Sequence, residues 1–464
     1  MVGIVGFGSY VPSYRLPREV IAREWGTVAG PGEKAVANHD EDSLTLAVNA
    51  AVDAVADPTN LDAVFFASTT PPYREKQSAT TVATVLEAPA SARTADFADS
   101  LRAATGAMLA GLDAVRAGSR QALICAGDCR LGEPDSMSEP SYGDAGAAIV
   151  VGGDELLAEV VATYSLSDEF HSTWRTDEQA FLHHFPGAFD TKYGYARVMT
   201  TLITEVLSRA GISAAALSKA VLSGPNPRVL AGVGKAVGID VKQQLHDTLW
   251  TQLGDTGAAQ PLLLLAAALE RSKPNDTILL AAYGDGGDAF VLRVTERIDD
   301  FRPARSVYTQ IERKRTLSSY GKYARFRKLF KRDPGTPDVS TPVALFRDRQ
   351  IILPLHGSRC TQCGTVQFPR PRTCIECGHA ELSDVKLARC GRLFTFTNDY
   401  IFDSADTPVP HAVVDLDGGG RIYLQMTDCD AQQIEIDMPV ELTFRRYHEG
   451  FGIQNYFWKA RPAA

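Results

Sequence analysis

Arg359-Cys-Thr-Gln-Cys-Gly-Thr-Val-Gln-Phe-Pro-Arg370, followed by Cys374-Ile-Glu-Cys-Gly378, sets two CxxC pairs near the C-terminus with ten residues between them. Two close thiolate pairs supply the four soft ligands of a tetrahedral Zn²⁺, each pair holding one edge. Gly364 and Gly378 follow the second cysteine of each pair. There a glycine permits a tight turn whose N–H groups point toward sulfur. A redox site needs only one such pair, and four unrelated core cysteines have no reason to repeat the spacing. Four protein ligands leave no position for water. Cys360, Cys363, Cys374 and Cys377 therefore predict a structural metal.

Downstream, Arg392–Thr397, His411–Asp415, Arg421–Gln425 and Val440–Phe444 read as short strands, separated by turns such as Asp417-Gly-Gly-Gly420. Strands at this spacing predict a small barrel of the OB type. Upstream, Asp333-Pro-Gly-Thr-Pro-Asp338 reads as a linker. Before it, residues 302–332 hold eleven Lys or Arg against one acid, Glu312, with Tyr308, Tyr320, Tyr323, Phe326 and Phe330 interleaved. This stretch fits either a solvated basic connector or a surface that pairs guanidinium groups with phosphate oxygens. In the second case Arg313, Lys314, Arg315, Arg325 and Lys328 are the candidate contacts.

Residues 1–300 have a different texture. Strand-like runs (Ala63–Ala67, Ala122–Cys125, Ala147–Val151, Thr277–Ala281) alternate with helix-like stretches (Ser43–Ala56, Leu101–Ala117, Pro261–Ser272), predicting an α/β fold with covered sheets. A chain of 464 residues calls for two or three domains. The expected division is 1–165 and 166–300 for two α/β halves, 301–345 for the basic connector, 346–385 for the zinc ribbon and 386–464 for the barrel. A net charge of −9 argues against broad nucleic-acid affinity, and no run of about 20 apolar residues offers a membrane span. Met1–Gly8 reads as a first strand rather than a signal peptide. Eight cysteines, four of them assigned to metal, make no disulfide framework and point to the cytosol.

The cysteine stretch, with Gly391–Thr397 and Ile436-Asp-Met-Pro-Val440, resembles the zinc-ribbon and OB-fold family that accompanies thiolase-type enzymes. Residues 1 to about 300 resemble the 3-hydroxy-3-methylglutaryl-CoA synthase branch of the thiolase superfamily. The matching segments are Gly8-Ser-Tyr-Val-Pro12, Asp40–Thr45, Ser141–Ala148, Gly254-Asp-Thr-Gly257, Lys273–Leu280 and Tyr283-Gly-Asp-Gly-Gly287. The resemblance implies two duplicated halves in an αβαβα sandwich, an obligate homodimer, and an acyl-CoA substrate.

That family works through a cysteine that forms an acyl thioester at a helix N-terminus, a histidine, and a glutamate. Placed by motif spacing, the cysteine position is held here by Leu101, the histidine position by Ser223 and the glutamate position by Thr69. Leucine forms no thioester, and Ser100 is one residue out of register. The resemblance therefore implies one of three things. The first is cysteine-independent carbon–carbon bond formation or cleavage of aldolase or retro-aldolase type. The second is a condensing acyltransferase with another nucleophile, and the third is a non-catalytic CoA-binding scaffold. Candidate groups for rebuilt chemistry are Asp255, which stands where the family carries an asparagine, Tyr73 at a strand end, and His184 in a histidine-rich stretch with His171 and His183. A turn-capping role for Asp255 is the plain alternative, as helix capping is for Asp99; Asp96 precedes the same helix.

Overall fold

The computed structural model describes residues 1–184, 187–330, 340–402 and 404–463. The linker at 333–338, the cations Lys331 and Arg332, and Phe185 and Pro186 of the histidine-rich stretch lie outside the described residues. Two compact units are present: residues 1–37 with 42–320, and residues 38–41 with 321–464.

In the first unit, among the described residues, nine strands form one sheet. They are β1 (Gly3–Tyr10), β2 (Leu61–Ala67), β3 (Arg93–Phe97), β4 (Gln121–Asp128), β5 (Ala145–Gly152), β6 (Ala158–Ser167), β7 (Lys219–Leu222), β8 (Thr277–Tyr283) and β9 (Gly286–Val294). Their order is β7-β8-β9-β6-β1-β5-β4-β2-β3. The order is a repeat. Outward from the centre, β1-β5-β4-β2 and β6-β9-β8-β7 each run antiparallel, antiparallel, parallel. The halves meet where Gly3 faces Glu159 and Ile4 faces Ala158. The duplication is thus present, with the halves' sheets joined edge to edge by that short register.

The helices repeat as well: α1 (Ser43–Ala54), α2 (Ser78–Leu86) and α3 (Ala103–Arg116) in the first half, α4 (Arg197–Ala210), α5 (Pro227–Ala236) and α6 (Gln260–Leu269) in the second. Helix α6 is apolar on all sides and every residue of it is buried, as a helix enclosed by other layers must be. Pro261 sits at its first turn, where its missing N–H costs nothing. Helices α3 and α6 touch one another and share one core with strands of both halves. Helix α1 covers β1, β5 and β4 on the outer side, and α4 covers β6 and β9. This is the expected layered sandwich.

Helix α3 starts at Ala103, not Leu101, so Leu101 lies in the turn before it. Asp99 does not cap α3; it sits in that approach with φ of 69°. Asp96 is a cap, but of α2, accepting from the N–H groups of Ser78 and Ala79 at 2.6 and 2.8 Å. The turn is pinned from the second half. Arg102 pairs with the buried Asp288 at 2.7 Å, and Asp288 also accepts from Thr105 and Ser165, each at 2.8 Å. Gly284 allows this approach, because a methyl there would lie 2.7 Å from the Arg102 nitrogen.

The second unit holds a three-stranded ribbon, β10 (His356–Cys360), β11 (Val366–Gln367) and β12 (Leu382–Lys386). A five-stranded sheet follows: β13 (Cys390–Asp399), β14 (Val409–Leu416), β15 (Arg421–Gln425), β16 (Pro439–Gly450) and β17 (Ile453–Pro462), in the order β15-β14-β13-β16-β17. The Thr427 N–H donates to the Ala460 carbonyl at 2.9 Å and closes it into a barrel. Residues 38–41 belong to this unit. Asp40, Glu41 and Asp428 surround the fully buried Arg445, and Lys459 Nζ lies 3.0 Å from Asp40.

His39, in the same segment, rests on the Phe326 ring at 5.7 Å. Burial is the main cause that lowers its pKa to about 4. A depressed folded value means the unfolded chain binds the proton first. Stability is therefore complete above about pH 6.5 and falls as the pH drops toward 4, by about 3 kcal/mol at the limit. Thermal midpoints of the full chain between pH 7 and pH 4 should show this loss, and His39→Leu should flatten it. An unchanged slope in the variant would remove His39 from the account.

Candidate functional site

Two neighbouring cavities lie in the first unit at the N-terminal end of α3. One, of about 240 Å³, is lined by Leu101, Arg130, Tyr142, His184, Asp190, Tyr195, Ser223, Asn226, Asp255, Gln260 and Tyr283, among others. The second, of about 690 Å³, is lined by Thr69, Tyr73, Arg74, Ser100, Arg175 and Asp285, and shares Leu101, Arg130, Ser172, Thr173 and Tyr283 with the first. Leu101, Ser223 and Asp255, far apart in sequence, therefore meet on one wall, and Thr69 and Tyr73 on the adjoining one.

Asp255 is not an isolated carboxylate. Its Oδ2 lies 2.5 Å from Nη2 of Arg130, which is 4% exposed. The Arg130 guanidinium also lies 4.4 Å over the Tyr142 ring. Burial opposes the charge on Arg130, but Asp255, Tyr142 and Asp128 outweigh it and raise its pKa above the ordinary arginine value. Asp255 Oδ1 accepts from the Gly257 N–H at 2.9 Å, the plain turn role. Asp255 is thus held in an ion pair by a partner that the sequence does not signal.

Thr69 faces the second cavity, but its hydroxyl donates to Asp128 at 2.8 Å. Asp128, fully buried at the end of β4, also accepts from Ser68, Thr70 and the Thr69 and Ala258 N–H groups. Thr69 thus belongs to a network that ties β2, β4 and the approach to α6 together. Gly257 is required there: φ is 63° and a methyl would lie 2.2 Å from Asp128 Oδ2.

Ser223 ends β7. Its carbonyl accepts from the buried Tyr195 hydroxyl at 2.8 Å, and Gln260 Oε1 takes the Gly224 N–H at 3.2 Å. Asn226 caps α5 through the Val229 N–H. Tyr73 is half-buried, with Lys76 Nζ 5.6 Å from its ring. His184 is exposed on a two-stranded ribbon with 173–174, at the edge of the first cavity. Cys125 is fully buried, and burial pushes its thiol up; neither it nor Cys129 lines either cavity.

The five basic candidates lie elsewhere. In the first unit Arg313 is exposed, Lys314 pairs with Glu33 at 2.7 Å, and Arg315 stands over Tyr14. In the second, Arg325 donates to the Ser404 carbonyl and Lys328 pairs with Glu449. None of them lines either cavity.

The four cysteines converge as their spacing predicts. All four Sγ atoms lie within 4.8 Å of one another, with Cys360–Cys377 at 3.6 Å and Cys363–Cys374 at 3.5 Å. A tetrahedron with Zn–S bonds of about 2.3 Å has edges of about 3.8 Å, so the set fits zinc. Gly364 and Gly378 have φ of 77° and 74°, and each N–H donates to the carbonyl of the first cysteine of its pair at 3.0 Å.

The duplicated sheet, the enclosed helix pair α3 and α6, and the cavities at the α3 N-terminus define a protein of the thiolase fold. Residues 355–383 match the family described as the ChsH2 rubredoxin-like zinc ribbon domain, and residues 384–445 the ChsH2 C-terminal OB-fold domain. The chain is 33% identical over 344 residues to hydroxymethylglutaryl-CoA synthase of Methanopyrus kandleri, covering 71% of this chain and 98% of that protein. It is 32% identical over 345 residues to that of Archaeoglobus fulgidus, covering 71% and 100%. The chain belongs to the hydroxymethylglutaryl-CoA synthase family and carries the zinc-ribbon and OB-fold module beyond it. Among solved structures, an HMG-CoA synthase complexed with CoA superimposes with a TM-score of 0.64 at 19% identity, over 73% of this chain and 92% of that one. MvaS in complex with 3-hydroxy-3-methylglutaryl coenzyme A gives 0.63 at 20% identity, over 74% and 94%.

Proposed function

We propose that this protein makes or breaks a carbon–carbon bond of aldol type in a CoA thioester, without an acyl-enzyme. The observation that carries the reading is the cavity at the α3 N-terminus, which stays open while Leu101, which we place at the family's cysteine position by motif spacing, lines it. A scaffold that had given up chemistry would have no reason to keep polar groups around that space. Here Arg130, Asp255, Ser223 and Tyr283 all face it.

Aldol chemistry needs a base and donors that hold a thioester enolate. Asp255, held by Arg130 and Gly257, is our base for the α-carbon. The Tyr283 phenol is pushed up to about 12, burial being the largest cause, and so remains a hydrogen-bond donor at neutral pH. Ser223 and His184 border the same space; Thr69 is a positioning residue, through Asp128. CoA binding is supported by the complexes of the related synthases. The zinc ribbon is structural support and takes no part in the reaction.

The test is a screen of β-hydroxyacyl-CoA thioesters with the full chain. Release of a shorter acyl-CoA with an equivalent of aldehyde or ketone is the expected result. Hydrolysis alone, or no turnover of any thioester, would sink the reading.

A further inference from the structure

Asp190 opens the π-helical turn Asp190–Ala196 and lines the first cavity together with Tyr283. Turns of this kind re-aim a side chain and recur at functional sites. Asp190 Oδ1 is buried and accepts no hydrogen bond among the described residues. Tyr283 is 8% exposed, and its hydroxyl abuts the same turn: a methyl at Gly194 would lie 2.8 Å from it. Gly194 follows Asp190 by four residues, close to one helical turn, so phenol and carboxylate lie on one side of it.

A buried oxygen without a donor is destabilising, and more so when it is charged. Native proteins leave few such atoms, and here the residue that carries it lines a cavity, where a ligand can complete the carboxylate. Asp255, on the same cavity, is already held by Arg130 and Gly257. No cation pairs with Asp190 among the described residues. The carboxylate still in need of a donor is therefore Asp190, and the donor that fits is a substrate hydroxyl. The negative charge of Asp190 also bears on Tyr283, acting with burial against ionisation of the phenol, while Ser172 acts in the opposite sense.

We propose that Asp190 and Tyr283 bind the β-hydroxyl group of the CoA thioester and that Asp190 takes its proton, a role separate from that of Asp255. The inference rests on the aldol reading above. In the cleavage direction Asp190 receives the hydroxyl proton. The O–H electron pair becomes the new C=O bond, and the Cα–Cβ pair passes to the thioester as an enolate. The α-carbon then takes one proton, and Asp190 releases one to solvent, so the sum is β-hydroxyacyl-CoA to acyl-CoA plus a carbonyl compound. Tyr283 donates to the oxygen throughout.

Two activities of the full chain separate the roles: cleavage of a β-hydroxyacyl-CoA, and exchange of α-protons of a plain acyl-CoA in D₂O, which needs no hydroxyl chemistry. Asp190→Asn is expected to lower kcat for cleavage about a hundredfold and to leave exchange within about threefold of wild type. Tyr283→Phe is expected to lose at least about tenfold in cleavage. Retained exchange also reports a folded variant. Full cleavage in Asp190→Asn, or equal loss of cleavage and exchange in both variants, would overturn the inference. A wild-type chain that neither cleaves nor exchanges fails the aldol reading itself, a separate result that takes this inference with it.

Discussion

Removing the ribbon's metal, by a chelator or by Cys360→Ser, is expected to unfold residues 356–386 while the helical signal of the first unit persists. The reason is how little else holds the ribbon. Its buried cluster is Cys360, Cys374 and Leu382, and burying one leucine contributes at most about 3 kcal/mol. Structural zinc contributes on the order of 10–16 kcal/mol to domains of this type. The metal term is several times the apolar term, so no partial ribbon should survive without it. Metal analysis should find zinc bound one to one in the wild type and lost in Cys360→Ser. Limited proteolysis should then open the chain within 356–386. A metal-free chain that resists cleavage there would refute the structural role.

Arg130→Met is expected to destabilise the first unit by about 3–5 kcal/mol, the usual cost of breaking a buried pair and stranding one charge. Arg130 and Asp255 side chains are 3% and 13% exposed. The contrast is Arg421–Asp415, about half exposed on both sides, where a pair contributes about 0–1 kcal/mol. Denaturant midpoints decide between these scales. Because the cost lies in the stranded carboxylate, adding Asp255→Asn should return part of the loss, giving a coupling that distant sites do not show. A single-variant loss below about 1 kcal/mol, or simple additivity, would show that the pair does not hold the cavity wall.

What could be read from sequence follows a physical line. Strands such as Ala63–Ala67 and Thr277–Ala281, and the apolar helix at Pro261, announce themselves through local runs and periodicity. Cys360–Cys377 does so through spacing alone. The capping of α2 by Asp96 carries no sequence signal, since strand β3 and helix α2 meet only in three dimensions. The site is harder still, because its interactions span the duplication. Asp128 takes the Ala258 N–H across 130 residues, and Arg102 reaches Asp288 across 186. Arg130, in Gly127-Asp-Cys-Arg130, carries no local signal at all. Asp255 stands out as a departure from a motif, yet the partner that holds it carries no signal in the sequence. The basic stretch is a different case: Lys314, Arg325 and Lys328 meet Glu33, the Ser404 carbonyl and Glu449, and none of its five candidates lines either cavity.

The central claim is carbon–carbon chemistry on a CoA thioester without a covalent acyl intermediate. Its most direct test is the intact mass of the full chain during turnover of an isotopically labelled β-hydroxyacyl-CoA. The account predicts that a shorter acyl-CoA accumulates while the protein mass stays unmodified at every time point. A protein species heavier by the acyl group, formed and consumed as fast as product appears, would contradict it.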